Sequence, residues 1–184
     1  MKLIERKHYT DKLNSLRNKK IIKVITGVRR CGKSTLMQLF QKQLLDSGID
    51  KNCITTINFE NYDYFNLRQP KELYNYVNSR LISDTMNYIF LDEIQHVGNY
   101  ADVVDALFIK ENTDIYITSS NAYLLSSEIA TLLSGRFIEI HVLPLSFKEY
   151  VSAAENGKDI DRHYSDYISM SYTSSCSAHL TALV

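Results

Sequence analysis

Gly27-Val28-Arg29-Arg30-Cys31-Gly32-Lys33-Ser34 follows the spacing G-x4-G-K-[ST]. Each residue type answers a need of phosphate chemistry. Gly27 and Gly32 let the backbone curl so that successive N–H groups face one phosphate. A helix beginning near Lys33 adds the partial positive charge of its N-terminus. The Lys33 ammonium reaches β- and γ-phosphates, and the Ser34 hydroxyl is a hard oxygen ligand suited to Mg²⁺. Arg29, Arg30, Cys31 and Thr35 complete the expected contact set of the loop. Oxidation of Cys31, inside the loop, would obstruct nucleotide binding.

Farther along, Tyr88-Ile89-Phe90-Leu91 is an apolar run ending in Asp92-Glu93. At the end of a strand, Asp92 can hold Mg²⁺ through water, making Ser34 and Asp92 the candidate metal pair. Glu93 then points toward the γ-phosphate, where it would polarise an attacking water. Thr118-Ser119-Ser120-Asn121 is a polar cluster where a γ-phosphate sensor would sit, and the same residues suit a helix cap. Arg136, after Leu133-Ser134-Gly135, has two readings: an arginine finger reaching a neighbouring subunit's nucleotide, or a salt bridge on its own sheet edge. The catalytic set is therefore Glu93, Lys33, Asn121 and Arg136. The guanine-reading pattern Asn-Lys-x-Asp does not occur, since Asn18-Lys19-Lys20-Ile21 lacks the Asp; ATP is expected over GTP.

These groups need a scaffold that brings distant segments together. Residues 20–26 (KIIKVIT), 53–59 (CITTINF), 87–91 (NYIFL), 114–118 (DIYIT) and 137–142 (FIEIHV) read as strands apolar on both faces. Helices are expected over 6–17, 34–46, 70–83, 101–110, 122–133 and 146–154, with a polar aromatic loop over 62–69. Strands alternating with helices over about 150 residues predict an α/β fold, a parallel sheet with helices on both faces.

Composition agrees with one such domain. The 184 residues are 45% hydrophobic and 23% charged, ordinary for a globular chain and unlike a disordered or collagen-like one. No segment approaches the roughly 18 to 20 apolar residues of a membrane span. The charged N-terminus lacks a signal-peptide core, so a cytoplasmic protein is expected. Cys31, Cys53 and Cys176 show no metal-ligand spacing. The net charge of zero divides unevenly: residues 1–42 carry about +10 and the remainder about −10. A basic segment suits a nucleotide or a nucleic acid, and equally a solvated helix.

GVRRCGKSTL (27–36), INFE (57–60), YIFLDEIQ (88–95), YITSSNAYLLSSEIATLLSGR (116–136) and LPLSFKEY (143–150) together resemble the prokaryotic AAA+-like P-loop ATPases that carry a C-terminal domain of unknown function. The resemblance covers roughly residues 3–160. It implies a five-stranded sheet of order 5-1-4-3-2, with ATP and Mg²⁺ binding and hydrolysis. It makes Lys33 the phosphate lysine, Ser34 and Asp92 the magnesium pair, Glu93 the base, and Ser120 or Asn121 the sensor. Arg136 falls in a Gly-Arg motif, and Arg6 and Tyr9 are placed near the adenine. Thr118-Ser119-Ser120 departs mildly from the family's Thr-Gly-Ser. Residues 1–155 are expected to form the ATP-binding domain. Residues 156–184, without the family's continuation, are expected to form a truncated or shifted, disordered tail.

Two functions follow. One is an ATPase driving a conformational change in a partner protein or nucleic acid, as a homo-oligomer with Arg136 acting in trans. The other is an ATP-dependent switch with negligible turnover. A small-molecule kinase fits less well, because of the Asp-Glu pair and the lack of an Arg-rich lid. Tyr62, Tyr64 and Phe65 suit either base stacking or packing on the sheet edge.

Overall fold

The computed structural model describes residues 4, 6–120, 133–153 and 160–172. Five strands carry the architecture: β1 (Ile22–Thr26), β2 (Ile54–Asn58), β3 (Asn87–Asp92), β4 (Thr113–Ser119) and β5 (Phe137–His141). Their order is β2-β3-β4-β1-β5, and every pairing is parallel. Read from the other edge this is 5-1-4-3-2, as expected. β1, β3 and β4 are buried along their whole length, which is why their sequences are apolar on both faces.

Helices α1 (Lys7–Leu16), α2 (Lys33–Asp46), α3 (Pro70–Asn78) and α4 (Tyr100–Phe108) cover the sheet. Alternation along the strands sorts their side chains into two cores. Ile22, Val24, Ile89, Leu91, Ile115 and Ile117 pack with Leu73 and Val77 of α3 and Val104 and Leu107 of α4. On the opposite face Ile25, Tyr88, Phe90 and Tyr116 pack with Leu13 of α1 and Leu36, Phe40 and Leu44 of α2. The alternation of β3 puts Asp92 on this second face, the face of α2.

Three segments differ from expectation. Helix α3 stops at Asn78 rather than near Ser83, because Asn87 claims the backbone beyond it. The Asn87 carboxamide accepts from Ile82 N at 2.9 Å and donates to the carbonyls of Ile82 at 2.9 Å and Thr85 at 3.0 Å. Residues Tyr62–Arg68 form a 3-10 turn instead of an open loop, started by the Asn61 side chain accepting from Asp63 N. Tyr64 packs on the first core; Tyr62, 78% exposed, instead stacks on Phe65 with centroids 5.2 Å apart.

The third difference lies within the segment 156–184, of which residues 160–172 are described. Residues Ile160–Tyr172 form a helix, packed on the helix Phe147–Ala153 by aromatic contacts. Phe147 meets Tyr164 edge-on at 5.4 Å and Tyr167 at 5.5 Å, and the Tyr167 hydroxyl donates to Leu145 O at 2.8 Å. The expected tail beyond residue 172 and the expected helix 122–133, apart from Leu133, lie outside the described residues.

Candidate functional site

In a parallel sheet the segments leaving the C-terminal strand ends converge on one rim. The loop leaving β1 is shaped by close approach. A Cβ on Gly27 (φ +147°) would sit 2.3 Å from Val142 O and 2.7 Å from Cys31 Sγ, so only glycine fits. Val142 is held there by its own N–H, which donates to Thr26 O at 2.8 Å. Arg30 at φ +66° and Gly32 at φ +96° turn the chain into α2. Gly32 caps α2 without a side-chain acceptor, leaving the first-turn N–H groups of Lys33, Ser34 and Thr35 without that competitor for an anion. Ser34 and Thr35 are half-buried.

Lys33 is buried. Its ammonium donates to Gly27 O at 3.1 Å and Val28 O at 3.2 Å, and stands 3.7 Å from Glu93 Oε1. Arg29, exposed, pairs at 3.7 Å with Glu60 beyond β2. Cys31 is buried among apolar groups, and that desolvation pushes its thiol above the ordinary value despite the nearby Lys33 charge. A thiol so held is a poor nucleophile, which counts against ready oxidation.

Both acids at the end of β3 are buried and tethered. The Thr118 hydroxyl donates to Asp92 Oδ1, and the Asn58 carboxamide to Asp92 Oδ2 at 3.1 Å. The same Thr118 oxygen accepts from Glu93 N at 2.9 Å, so one β4 hydroxyl fixes both residues. Glu93 adopts φ +56°, a conformation uncommon outside glycine and asparagine. Its Oε2 accepts from Gln95 Nε2 at 2.6 Å and Ser120 N at 3.0 Å. Burial pushes the Glu93 carboxyl up, but the bonds from Gln95 and Ser120 and the Lys33 charge outweigh it and leave it below 4.5. Glu93 is therefore an anion at neutral pH.

The structure thus brings Gly27, Gly32, Lys33, Ser34, Thr35, Asp92, Glu93 and Ser120 to one rim. Asn121 lies outside the described residues. Arg136 sits at the opposite rim: its carbonyl accepts from Ile22 N, at the start of β1, at 2.8 Å, and its guanidinium pairs with Asp105 of α4. It cannot face its own phosphate loop, and its salt-bridge partner stands on a helix rather than on the sheet edge. Arg6 donates to Cys31 O at 3.2 Å, Leu143 O at 2.8 Å and Glu149 at 2.9 Å, while the Tyr9 hydroxyl accepts from Leu143 N at 3.1 Å. Both clamp the N-terminal segment to the back of the loop.

Sequence reasoning missed Asn58 and Gln95. Each lies inside a quoted motif, INFE or YIFLDEIQ, yet only the fold shows which acid it holds. Among the described residues no three His, Cys, Asp or Glu side chains cluster as a metal site. The donor set at the rim, one carboxylate, one hydroxyl and a cationic phosphate cradle, fits a Mg²⁺ that completes its shell with phosphate oxygens and water. It does not fit a metal held by protein alone.

A parallel sheet of this order, with a G-x4-G-K-S loop leaving β1 and two acids ending β3, defines an AAA+-like P-loop ATPase. More narrowly, the model of the AAA_14 family, an AAA domain, matches residues 19–151, and the chain belongs to that family. An uncharacterized protein of Haemophilus influenzae is 40% identical over 169 residues, covering 90% of this chain and 42% of the relative. Another, from Methanocaldococcus jannaschii, is 42% identical over 131 residues, covering 71% of this chain and 28% of the relative. The chain thus spans less than half the length of these two relatives.

Among solved structures, Caenorhabditis elegans PCH-2 aligns with a TM-score of 0.58 at 17% identity, over 83% of this chain and 47% of that one. The Saccharomyces cerevisiae Hsp104:casein complex aligns with a TM-score of 0.59 at 16% identity, over 92% and 31%. At such identities the likeness is one of fold. Among the described residues no helix is long and apolar enough to cross a membrane.

Proposed function

We propose that this chain binds Mg-ATP at the Gly27–Thr35 loop and hydrolyses it. The observation that carries the reading is the Lys33–Glu93 pair, 3.7 Å apart and buried at the rim. A phosphate-seeking cation and an ionised carboxylate are held together where an anion-binding helix begins. Ser34 and Asp92 would hold the metal, which when bound neutralises developing phosphate charge. Gly27 and Gly32 shape the cradle, with Arg29, Arg30 and Cys31 in the loop. Lys33 orients the γ-phosphate, and Glu93 receives the proton of the attacking water. Ser120 and Asn121 are the candidate sensors.

Arg136, on the rim away from its own loop, supports a finger role only toward a second subunit, and so a homo-oligomer. Hydrolysis there would drive a conformational change in a partner protein. Nucleic acid is less well supported, because Arg6 and Arg17 of the basic segment are engaged inside the fold. The solved structures of Drosophila ORC on DNA share the fold alone, at 14–15% identity.

The test is phosphate release by wild type, Lys33→Ala and Glu93→Gln, with ATP affinity by calorimetry. The expected result is loss of binding in Lys33→Ala and of turnover alone in Glu93→Gln. Wild-type turnover equal to that of Glu93→Gln would replace hydrolysis by an ATP-dependent switch.

A further inference from the structure

Gln95 follows the acid pair, and its side chain is placed by the backbone before it. Glu93 at φ +56° reverses the chain, Ile94 is fully buried, and His96 N returns to Glu93 O at 3.2 Å. The resulting tight turn folds Gln95 back over Glu93. Gln95 Nε2 donates to Glu93 Oε2 at 2.6 Å and to Ser120 Oγ at 3.3 Å. The amide nitrogen is taken up by these two acceptors, which leaves the amide oxygen Oε1 for a donor. That oxygen is buried and, among the described residues, is the one buried side-chain polar atom without a hydrogen-bond partner. An unpaired buried acceptor is costly unless a donor arrives with a ligand.

A water attacking phosphorus must aim a lone pair at it, which leaves two O–H groups in need of two acceptors. Glu93 is one. We propose that Gln95 Oε1 is the other, so that Gln95 orients the attacking water directly and, through Nε2, holds the Glu93 carboxylate in place. The inference rests on the hydrolytic reading above. In the step, the water oxygen bonds to the γ-phosphorus and the bond to the β–γ bridging oxygen breaks. ADP leaves with that electron pair, the water's proton passes to Glu93, and Gln95 exchanges no proton.

Gln95→Met keeps the length of the side chain and removes both polar atoms. Its kcat should fall about 10²-fold, the usual cost of a misplaced reactant, while affinity for ATPγS stays within about twofold of wild type. Affinity for ADP with aluminium fluoride, which mimics the phosphoryl group under in-line attack by water, should fall with kcat. Affinity for ADP with beryllium fluoride, which mimics the bound triphosphate before attack, should not. Gln95→Asn, which withdraws the same groups by one methylene, should reproduce the loss if the Met variant does not fold. A kcat within about threefold of wild type, or a loss matched by weaker ATPγS binding, overturns the assignment and leaves hydrolysis standing. Wild-type release no faster than that of Glu93→Gln removes the hydrolytic reading, and this inference with it.

Discussion

The Lys33 ammonium stands 3.7 Å from Glu93 Oε1 while its hydrogen bonds go to two carbonyls of its own loop, Gly27 and Val28. A buried cation and a buried anion thus neutralise one another across the phosphate cradle. A triphosphate entering the loop, as proposed above, would offer Lys33 stronger, charge-assisted partners than neutral carbonyls. It would also draw the cation's field away from Glu93.

Lys33→Ala therefore removes the cradle's central charge and leaves Glu93 buried with less compensation. The expected outcome is an ATP dissociation constant raised at least about 10²-fold, about 2.7 kcal/mol, measured by titration calorimetry. Equal affinity in wild type and variant would dismiss the site assignment.

Gly27→Ala should be as damaging as Lys33→Ala to binding, and for a steric reason. The new Cβ would lie 2.3 Å from Val142 O, a backbone atom held by the β1–β5 hydrogen bonding, so the loop must shift. A loss of stability of about 1–3 kcal/mol is expected from the overpacking, read as a lower Tm, together with weakened ATP binding. Gly32→Ala meets nothing within 4 Å. Its cost is the positive φ alone, and its Tm should stay above that of Gly27→Ala.

The phosphate loop was legible because its spacing is local: a strand, a glycine turn and a helix start are consecutive in the chain. The acids of β3 were legible because an apolar run ending in Asp-Glu needs only one strand to define it. Asn58 was not, since its tie to Asp92 spans 34 positions and exists only once β2 and β3 pair. Gln95 was hidden by backbone conformation, because nothing in the letters Asp-Glu-Ile-Gln announces a left-handed Glu93. The helix Ile160–Tyr172 escaped because its contacts with Phe147 are tyrosine rings, partly exposed, rather than a buried aliphatic stripe.

Arg136→Ala should separate stability from activity. The Arg136–Asp105 pair is half-exposed, and such pairs contribute about 0–1 kcal/mol, so Tm should change little. Turnover should fall about 10³-fold if the guanidinium completes a neighbour's site. Mixing Arg136→Ala with Lys33→Ala chains should restore part of the activity, and the wild-type rate should rise with protein concentration. A concentration-independent rate in a monomer would end the finger reading.

Lys23 and Asp114 form an ion pair buried on the α2 face. Asp114 also accepts from Tyr116 at 2.9 Å and from Asn18 N at 2.8 Å. Burial pushes the Lys23 amine below its ordinary value, against the opposing pull of Asp114. Asp114→Asn strands that ammonium, and breaking a buried pair costs about 3–5 kcal/mol. Replacing both partners, as Lys23→Met with Asp114→Leu, should be less damaging than Asp114→Asn alone. Denaturant melts of the three proteins measure the order directly.

The clamp at the back of the loop should make stability depend on acid. Glu149 accepts from Ser146 N at 2.7 Å and Arg6 Nε at 2.9 Å, a capping box with an added cation. Burial pushes its carboxyl up, but the bonds from Ser146 and Arg6 outweigh that and hold it below 4.5. A carboxyl depressed in the fold binds its proton more readily when unfolded. Its stabilisation is complete above the unfolded value and fades as pH falls through the folded one. Glu149→Gln should therefore lower Tm by a constant amount above about pH 5, with the gap to wild type closing below about pH 4. Because Arg6 also holds Cys31 O, the same substitution should loosen the phosphate loop and weaken ATP binding at neutral pH. A Tm difference that stays constant from pH 7 down to pH 3 would show that Glu149 contributes packing and no charge.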